Sequence, residues 1–240
     1  MKQKSLYTDL AKYYDLIYSW KDYMKESEKL VKLILKYKKS NGNNLLEVGC
    51  GTGKHLSYLK NNFSCIGIDL NLGILNIAKK NVKDVSFKKA DMINFNLNKK
   101  FDIITCLFSS IGYVKTYKNL EKTIKNFSLN LNKGGVLIIE PWFTMAIYKK
   151  GLPHMTVYED DKIKIARLSV SNIKKNVSIL DMHYLIAEKN KTVLHFIDRH
   201  ELGLFEIDKT LKIMEKYNLK AKYLKNGFSK NRGLFICVKI

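Results

Sequence analysis

Proline, arginine and paired cysteines are what this 240-residue chain has least of. Only Pro141 and Pro153 are prolines, and no repeat or low-complexity linker divides the chain. Four cysteines, Cys50, Cys65, Cys106 and Cys237, form no CxxC pair. They read as reduced cytosolic thiols, not as a disulfide frame or a zinc site. The five histidines have neither HxxxH nor HExxH spacing, so no metal is expected. No run of 18 apolar residues suggests a membrane span, and the opening MKQKSLYTDLAKYY has no signal-peptide core. A cytoplasmic protein is expected.

Arginine is limited to Arg167, Arg199 and Arg232, although the formal charge is +21. Base and phosphate forks favour arginine, and the lysines are scattered along the chain. A solvated lysine surface is therefore favoured over a nucleic-acid patch. Attraction of an anionic small substrate fits the same charge.

An apolar content of 46% suffices for a sizeable core. Apolar residues recur at helical spacing from Leu6 to Tyr18 and from Asp22 to Tyr37. Strands and helices then alternate. Short strands are expected at Leu45–Val48, Ser64–Asp69, Val85–Lys88, Phe101–Phe108 and Val136–Glu140. Helices are expected at Gly53–Asn61, Leu72–Lys80 and Leu120–Leu131, the last ended by Asn132-Lys133-Gly134-Gly135. This is the signature of an α/β, Rossmann-like parallel sheet with helices on both faces. From Met155 to Phe205 the pattern turns β-rich, with turns near 160–161, 174–176 and 189–191, so an antiparallel insertion is expected. Helix returns at Ile207–Tyr217, then strands at Ala221–Leu224 and Leu234–Lys239. The expected organisation is N-terminal helices over residues 1–42, an α/β domain over 43–152 and 206–240, and a β lid over 153–205.

The first strand runs into Glu47-Val48-Gly49-Cys50-Gly51-Thr52-Gly53. Glycines allow a tight strand-to-helix turn and close backbone approach to a ligand. Asp69, 20 residues after Gly49 at the end of the second strand, is placed to accept hydrogen bonds from ribose hydroxyls. The spacing is GxGxG, not GxGxxG, and no GxxxxGK[ST] occurs. A nucleoside without a bound pyrophosphate is favoured. His55, two residues into the next helix, reads as a packing or surface residue.

These segments resemble class I S-adenosylmethionine-dependent methyltransferases over nearly the whole chain. The resemblance implies a seven-stranded sheet ending in an antiparallel strand, with S-adenosylmethionine as cofactor. It assigns the glycine loop (Glu47, Gly49, Gly51, Gly53) and Asp69–Leu70 to the cofactor, and Asp91–Met92 to its adenine. The finer resemblance is to dTDP-3-amino-3,6-dideoxyhexose N,N-dimethyltransferases. It rests on Tyr14-Asp15-Leu16-Ile17-Tyr18, Lys21-Asp22-Tyr23, Phe108-Ser109-Ser110-Ile111-Gly112, Glu140-Pro141-Trp142, Leu180-Asp181-Met182-His183-Tyr184, His195-Phe196, Leu204-Phe205 and Arg232-Gly233-Leu234-Phe235. It adds Tyr14, Tyr23 and Phe108 around the cofactor, with rings that shield a sulfonium. It also implies Tyr18, Ser109, Trp142 and Arg232 around a nucleotide-sugar, and Ser110 and Tyr113 orienting the acceptor; Arg167 and His183, polar residues of the expected lid, are candidates to line the same space. Tyr113 stands where these enzymes often have histidine. A homodimer is expected only on this resemblance.

No [ND]-P-P-[YF] segment and no Pro-Cys dipeptide is present, which argues against the commonest base-methylating types. Three other readings stay open. They are a small-molecule methyltransferase with a hydroxyl or simple amine acceptor, an RNA-associated protein using the positive charge, and a nucleoside-binding module without turnover.

Overall fold

Residues 11–229 and 231–240 are described by the computed structural model. Leu6–Leu10, the first part of the expected N-terminal helix, lies outside them. The described remainder of that helix is shorter than expected: a single 3-10 turn at Ala11–Tyr13 and one helical turn, α1 (Tyr14–Ile17).

The elements then run α2 (Tyr23–Tyr37), β1 (Asn44–Val48), α3 (Lys54–Leu59), β2 (Ser64–Asp69), α4 (Leu72–Asn81), β3 (Ser86–Lys89), β4 (Phe101–Cys106), a 3-10 turn at Ser110–Val114, α5 (Tyr117–Asn130) and β5 (Leu131–Ile139). Four long strands come next, β6 (Pro153–Glu159), β7 (Ile163–Lys174), β8 (Val177–Glu188) and β9 (Leu194–Gly203), then α6 (Ile207–Lys216), β10 (Leu219–Leu224) and β11 (Leu234–Lys239). The main sheet has seven strands in the order β10-β11-β5-β4-β1-β2-β3, and β6-β7-β8-β9 form a separate antiparallel sheet. In the main sheet only β11 runs antiparallel to β5 and β10, as expected of the last strand.

Alternation along the buried strands builds a core on each face. Leu46, Ile104, Leu137 and Phe235 point toward α5 and α6, where Leu120, Ile124, Phe127 and Met214 meet them. Their neighbours Leu45, Ile103, Ile138 and Ile236 point the other way, against Leu30, Ile34, Leu56 and Leu75 of α2, α3 and α4. Side chains cap two helices: Asp22 accepts from Lys25 N at 2.9 Å and Thr116 from Asn119 N at 3.2 Å.

Two of the departures from the expected boundaries have a clear local cause. The Asn132–Gly135 stretch does not end a helix. α5 stops at Asn130, and β5 already begins at Leu131. Gly134, at φ +74°, lets the strand bend there, and its carbonyl accepts Lys39 N and Ser40 N at 2.7 and 3.0 Å. β4 ends at Cys106, because Phe108 and Ser109 turn left-handed at φ +49° and +65°.

α2 is fastened to the main sheet by charge. His55 of α3 lies buried, with Nε2 3.0 Å from Glu26 and Nδ1 3.4 Å from Glu47 of β1. Lys21 binds the same Glu26. Burial works against the imidazolium, but the hydrogen bonds to Glu26 and Glu47 outweigh it and raise the His55 pKa to about 9. A raised folded-state pKa stabilises fully below the unfolded value of 6.5 and is lost as pH rises through about 9. The contribution is on the order of 3 kcal/mol. Urea denaturation should therefore show wild-type stability falling between pH 6.5 and 9.5 relative to His55→Gln, and a constant gap between the two proteins would remove this role.

Candidate active site

The strand order reverses between β1 and β4, and the loops leaving their carboxyl ends part there. This is where open α/β sheets bind ligands. A cavity of about 990 Å³ opens at this edge and continues beneath the four-stranded sheet. Sites for one drug-sized molecule run to roughly 300–1,000 Å³, so this one is large enough for more than a nucleoside.

One end of the cavity is the glycine loop. Gly49 and Gly51 have φ of +69° and +55°. A Cβ built on Gly49 would lie 2.7 Å from Ser110 Cβ, so glycine is needed there on both grounds. Asp69 accepts Gly51 N and Asn71 N, each at 3.0 Å. Burial raises its pKa, opposed by backbone N–H bonds from Asn71, Gly51 and Leu70. Leu70 and Asp91–Met92 line the same end. Asp91 also caps its own turn, accepting Ile93 N at 2.9 Å.

Aromatic rings wall the middle. Tyr14 and Tyr18 lie 4.8 Å apart, and Tyr18 meets Phe108 edge-on at 5.1 Å. Burial pushes the Tyr14 hydroxyl well above its ordinary pKa, so it stays a neutral donor. Asp15 anchors this helical turn on the loop by accepting Thr52 Oγ1 at 2.7 Å.

The far end is cationic. Arg232 donates to Ser109 Oγ, and its guanidinium lies 5.5 Å from the Trp142 ring and 5.6 Å from Phe143. Arg167 of β7 donates to Tyr18 Oη at 2.9 Å and to Thr156 at 2.8 Å, joining the four-stranded sheet to the N-terminal segment. Trp142 donates to Ser178 of β8 at 2.9 Å. Ser110 and Tyr113 face the space between the two ends.

Four residues expected here do not line the cavity. Tyr23 packs edge-on against His55 at 5.0 Å. Glu47 is buried under the loop as that histidine's partner. Gly53, at φ +76°, serves packing, because a Cβ there would come 3.0 Å from the Phe87 ring. His183 points out of the opposite face of the four-stranded sheet and stacks on His195 at 5.9 Å. Strand parity turns His183 away, an ion pair holds Glu47, and packing on neighbouring rings places Tyr23 and Gly53.

Several residues were not anticipated. Asn71 of the β2–α4 connection and Ile74 of α4 line the loop end, and Asp198 and His200 line the cavity from β9. The alternate spacing Phe196-Asp198-His200-Leu202, all inward and buried, carries the signal for the last pair. Glu140 is the other omission as a site residue. It is fully buried, and accepts Phe108 N at 2.8 Å and Ser229 Oγ at 2.9 Å, with Arg232 at 3.9 Å.

A seven-stranded sheet of this order, with a glycine loop and a strand-end carboxylate facing one cavity, defines a class I methyltransferase. The chain belongs to the methyltransferase domain family, whose model matches residues 19–205. It is 33% identical to a dTDP-3-amino-3,4,6-trideoxy-alpha-D-glucopyranose N,N-dimethyltransferase of Streptomyces venezuelae, covering 96% of this chain and 98% of that one. It is 30% identical to a dTDP-4-amino-2,3,4,6-tetradeoxy-D-glucose N,N-dimethyltransferase of Saccharopolyspora spinosa, covering 96% and 93%. The crystal structure of Streptomyces venezuelae DesVI superposes with a TM-score of 0.90 at 32% identity, covering 97% of this chain and 99% of that one.

Removing the buried Glu140 carboxylate strands the groups it holds, a change that costs about 3–5 kcal/mol when a buried charge pair loses one partner. Glu140→Ala should lower the thermal midpoint by many degrees, whereas Glu140→Gln, which keeps an acceptor for Phe108 N, should lower it less. Equal midpoints in differential scanning fluorimetry would remove Glu140 from this position.

Proposed function

We propose that the chain N-methylates the amino group of a nucleotide-linked aminodeoxysugar. The observation that carries this reading is that the similarity to aminosugar N,N-dimethyltransferases covers 96–97% of the chain, so it extends beyond the cofactor half to the four-stranded sheet.

Residues 43–152 and 206–240 form the cofactor-binding unit in this reading, residues 1–42 cover it, and residues 153–205 close over the acceptor. The cradle at Gly49 and Gly51, the Asp69 carboxylate and the rings of Tyr14, Tyr18 and Phe108 fit S-adenosylmethionine. The carboxylate suits ribose hydroxyls, Asp91 and Met92 suit the base, and the rings suit a cationic sulfur. When bound, the cofactor supplies a methyl carbon made electrophilic by its sulfonium. The chain's own task is to hold a neutral amine in line with that carbon, and orientation of this kind is worth about 7–11 kcal/mol in favourable cases. Arg232 suits a diphosphate through its planar fork. Its Nε is buried without a hydrogen-bond partner among the described residues, a donor available to a ligand. Arg167, Ser109 and Trp142 would hold the nucleotide-sugar beside it, and Ser110 and Tyr113 would aim the amine.

Two further features of this reading concern setting and assembly. All four cysteines are free and buried, and no helix among the described residues is long and apolar enough to cross a membrane, which suits a cytoplasmic enzyme. The outer face of the four-stranded sheet exposes Met155, Val157, Leu168, Val170, Leu185 and Ile197. Its charges neutralise one another, Lys164 with Glu159 and Arg199 with Asp181. On a chain of +21, such a neutral apolar face is where a second copy can meet the first without repulsion. Light scattering should give a dimer that Val170→Lys dissociates, and a monomeric wild type would overturn this part.

The acceptor is tested by a methylation screen with radiolabelled S-adenosylmethionine over dTDP-linked 3-amino and 4-amino deoxyhexoses. Label should enter at least one of them, whereas transfer to RNA and to none of the sugars would overturn the reading. Asp69→Ala removes charged hydrogen bonds worth about 1.5–3 kcal/mol. It should weaken S-adenosylmethionine binding about 10- to 100-fold by calorimetry, and unchanged affinity would sink the ribose role.

A further inference from the structure

Tyr113 has its hydroxyl 2.7 Å from Nδ1 of His200, and Nε2 of His200 lies 3.2 Å from Asp198. All three line the cavity between the glycine loop and Arg232. Holding a neutral amine in line with the methyl carbon uses neither the histidine nor the aspartate. Both are nearly buried, at 5% and 7% exposure, whereas Tyr113 is 37% exposed. The row therefore runs from a dry carboxylate, through an imidazole, to a hydroxyl presented to the ligand space.

The fold holds this row in register. Asp198 and His200 alternate on the inner face of β9. The 3-10 turn that carries Tyr113 is seated directly on that strand, since a Cβ on Gly112 would approach Leu202 Cδ2 to 3.0 Å and Trp142 Cβ to 3.3 Å. Of the ionisable groups nearby, Lys115 pairs with Glu201 at 2.7 Å and Arg199 with Asp181 of β8 at 2.6 Å, while the neutral Tyr14 and Tyr184 hydroxyls feel the charge of Tyr113 and Asp198 respectively.

We propose that Tyr113, His200 and Asp198 form a proton relay that takes the proton from the substrate's ammonium group. This inference rests on the aminosugar reading. Tyr113 is the catalytic residue, because its oxygen touches the amine, and His200 and Asp198 are positioning residues behind it. A phenol, with an ordinary pKa near 10, is a poor base by itself, while an imidazole, near 6.5, is a competent one. Nε2 lies 3.2 Å from the Asp198 carboxylate without hydrogen-bond geometry; in the proposed relay the resting proton sits on Nε2 facing that carboxylate, so Nδ1 keeps its lone pair and accepts the Tyr113 hydroxyl proton. An ammonium N–H then donates to Tyr113 Oη. That N–H bond breaks as an O–H bond forms, and the original tyrosine proton passes to Nδ1. The amine regains its lone pair, and the resulting imidazolium faces the Asp198 carboxylate until it releases its proton to water. No oxidation state changes. The same route takes the proton from the methylated ammonium before a second transfer.

The relay matters only while the amine is protonated, and that gives the test. Tyr113→Phe keeps the ring and removes the oxygen. His200→Asn keeps an acceptor for the Tyr113 hydroxyl but cannot take a proton. With the dTDP-aminosugar and S-adenosylmethionine, each variant should lose about tenfold or more in kcat at pH 7, with both KM values within about twofold of wild type. The loss should disappear near pH 10, where the free amine is already neutral. A loss that persists at high pH, or one carried by KM, would overturn the relay. Unchanged S-adenosylmethionine affinity checks that each variant is folded. Failure of the aminosugar reading has a separate signature, no turnover by wild type on any sugar. The relay is then read without an acceptor, from the nitrogen NMR shifts of labelled His200. Nδ1 should be the unprotonated nitrogen and should shift in Tyr113→Phe, and a proton resident on Nδ1 would overturn the proposal.

Discussion

One buried carboxylate holds the acceptor side of this molecule together. Glu140 directly follows β5 with no exposure to solvent, and its oxygens accept the Phe108 amide and the Ser229 hydroxyl while facing Arg232. The turn after β4 and the 229–232 stretch thus meet at one side chain. The Phe108 amide is a donor left over where β4 gives way to a left-handed turn, and a buried amide without a partner is costly. Because Glu140 satisfies it, the chain can hold Phe108 and Ser109 in a conformation that L-residues otherwise avoid. That turn sets Phe108 against Tyr18 and brings Ser109 under Arg232.

Closure of the cavity depends on a third apolar cluster, separate from the two cores of the main sheet. Tyr14 and Ile17 from the N-terminal turn, Ile74 from α4, and Ile165, Tyr184, Ile186 and Phe196 from the four-stranded sheet bury one another there. Parallel stacking of Tyr184 on Phe196, 4.6 Å apart, fills its centre. This cluster makes one wall from elements far apart in sequence. Arg167 adds a polar tie from β7 to Tyr18, and the His55–Glu26–Lys21 set fixes α2 beside it. Lys21 in turn lies 4.6 Å over the Phe108 ring, so the charged set reaches the edge of the site.

Much of the site was legible in the residues alone. The glycine loop, Asp69, Leu70 and Asp91–Met92 could be read because they are local. A strand, a turn and a helix start are encoded in adjacent positions, and the carboxylate comes at the next strand end. Tyr14, Tyr18, Phe108, Ser109, Trp142 and Arg232 came from resemblance and Arg167 from the polarity of the expected lid, and all of them line the cavity. Tyr23, Glu47, Gly53 and His183 do not. A motif gives a residue's neighbourhood but not the direction of its side chain, and a shift of one position in a strand reverses the face. His183 is such a case, since its neighbour Met182 is the one that lines the cavity. The Asn132–Gly135 stretch misled for a similar reason. A double glycine reads as a stop, yet here it is a bend inside a strand, stabilised by Lys39 and Ser40 from a distant segment.

By itself the sequence determined the alternation of strands and helices, the glycine loop with an acid at the next strand end, and the antiparallel insertion, because each is a periodicity or spacing within a short stretch. Only the tertiary structure decided which side chains face one another across the cavity. Tyr113 and His200 are 87 residues apart, and Arg232 and Ser109 are 123 apart. No local propensity encodes such pairs. They meet because the order of strands, the inward parity of β9 and the seating of one turn on that strand leave each side chain a single place to lie.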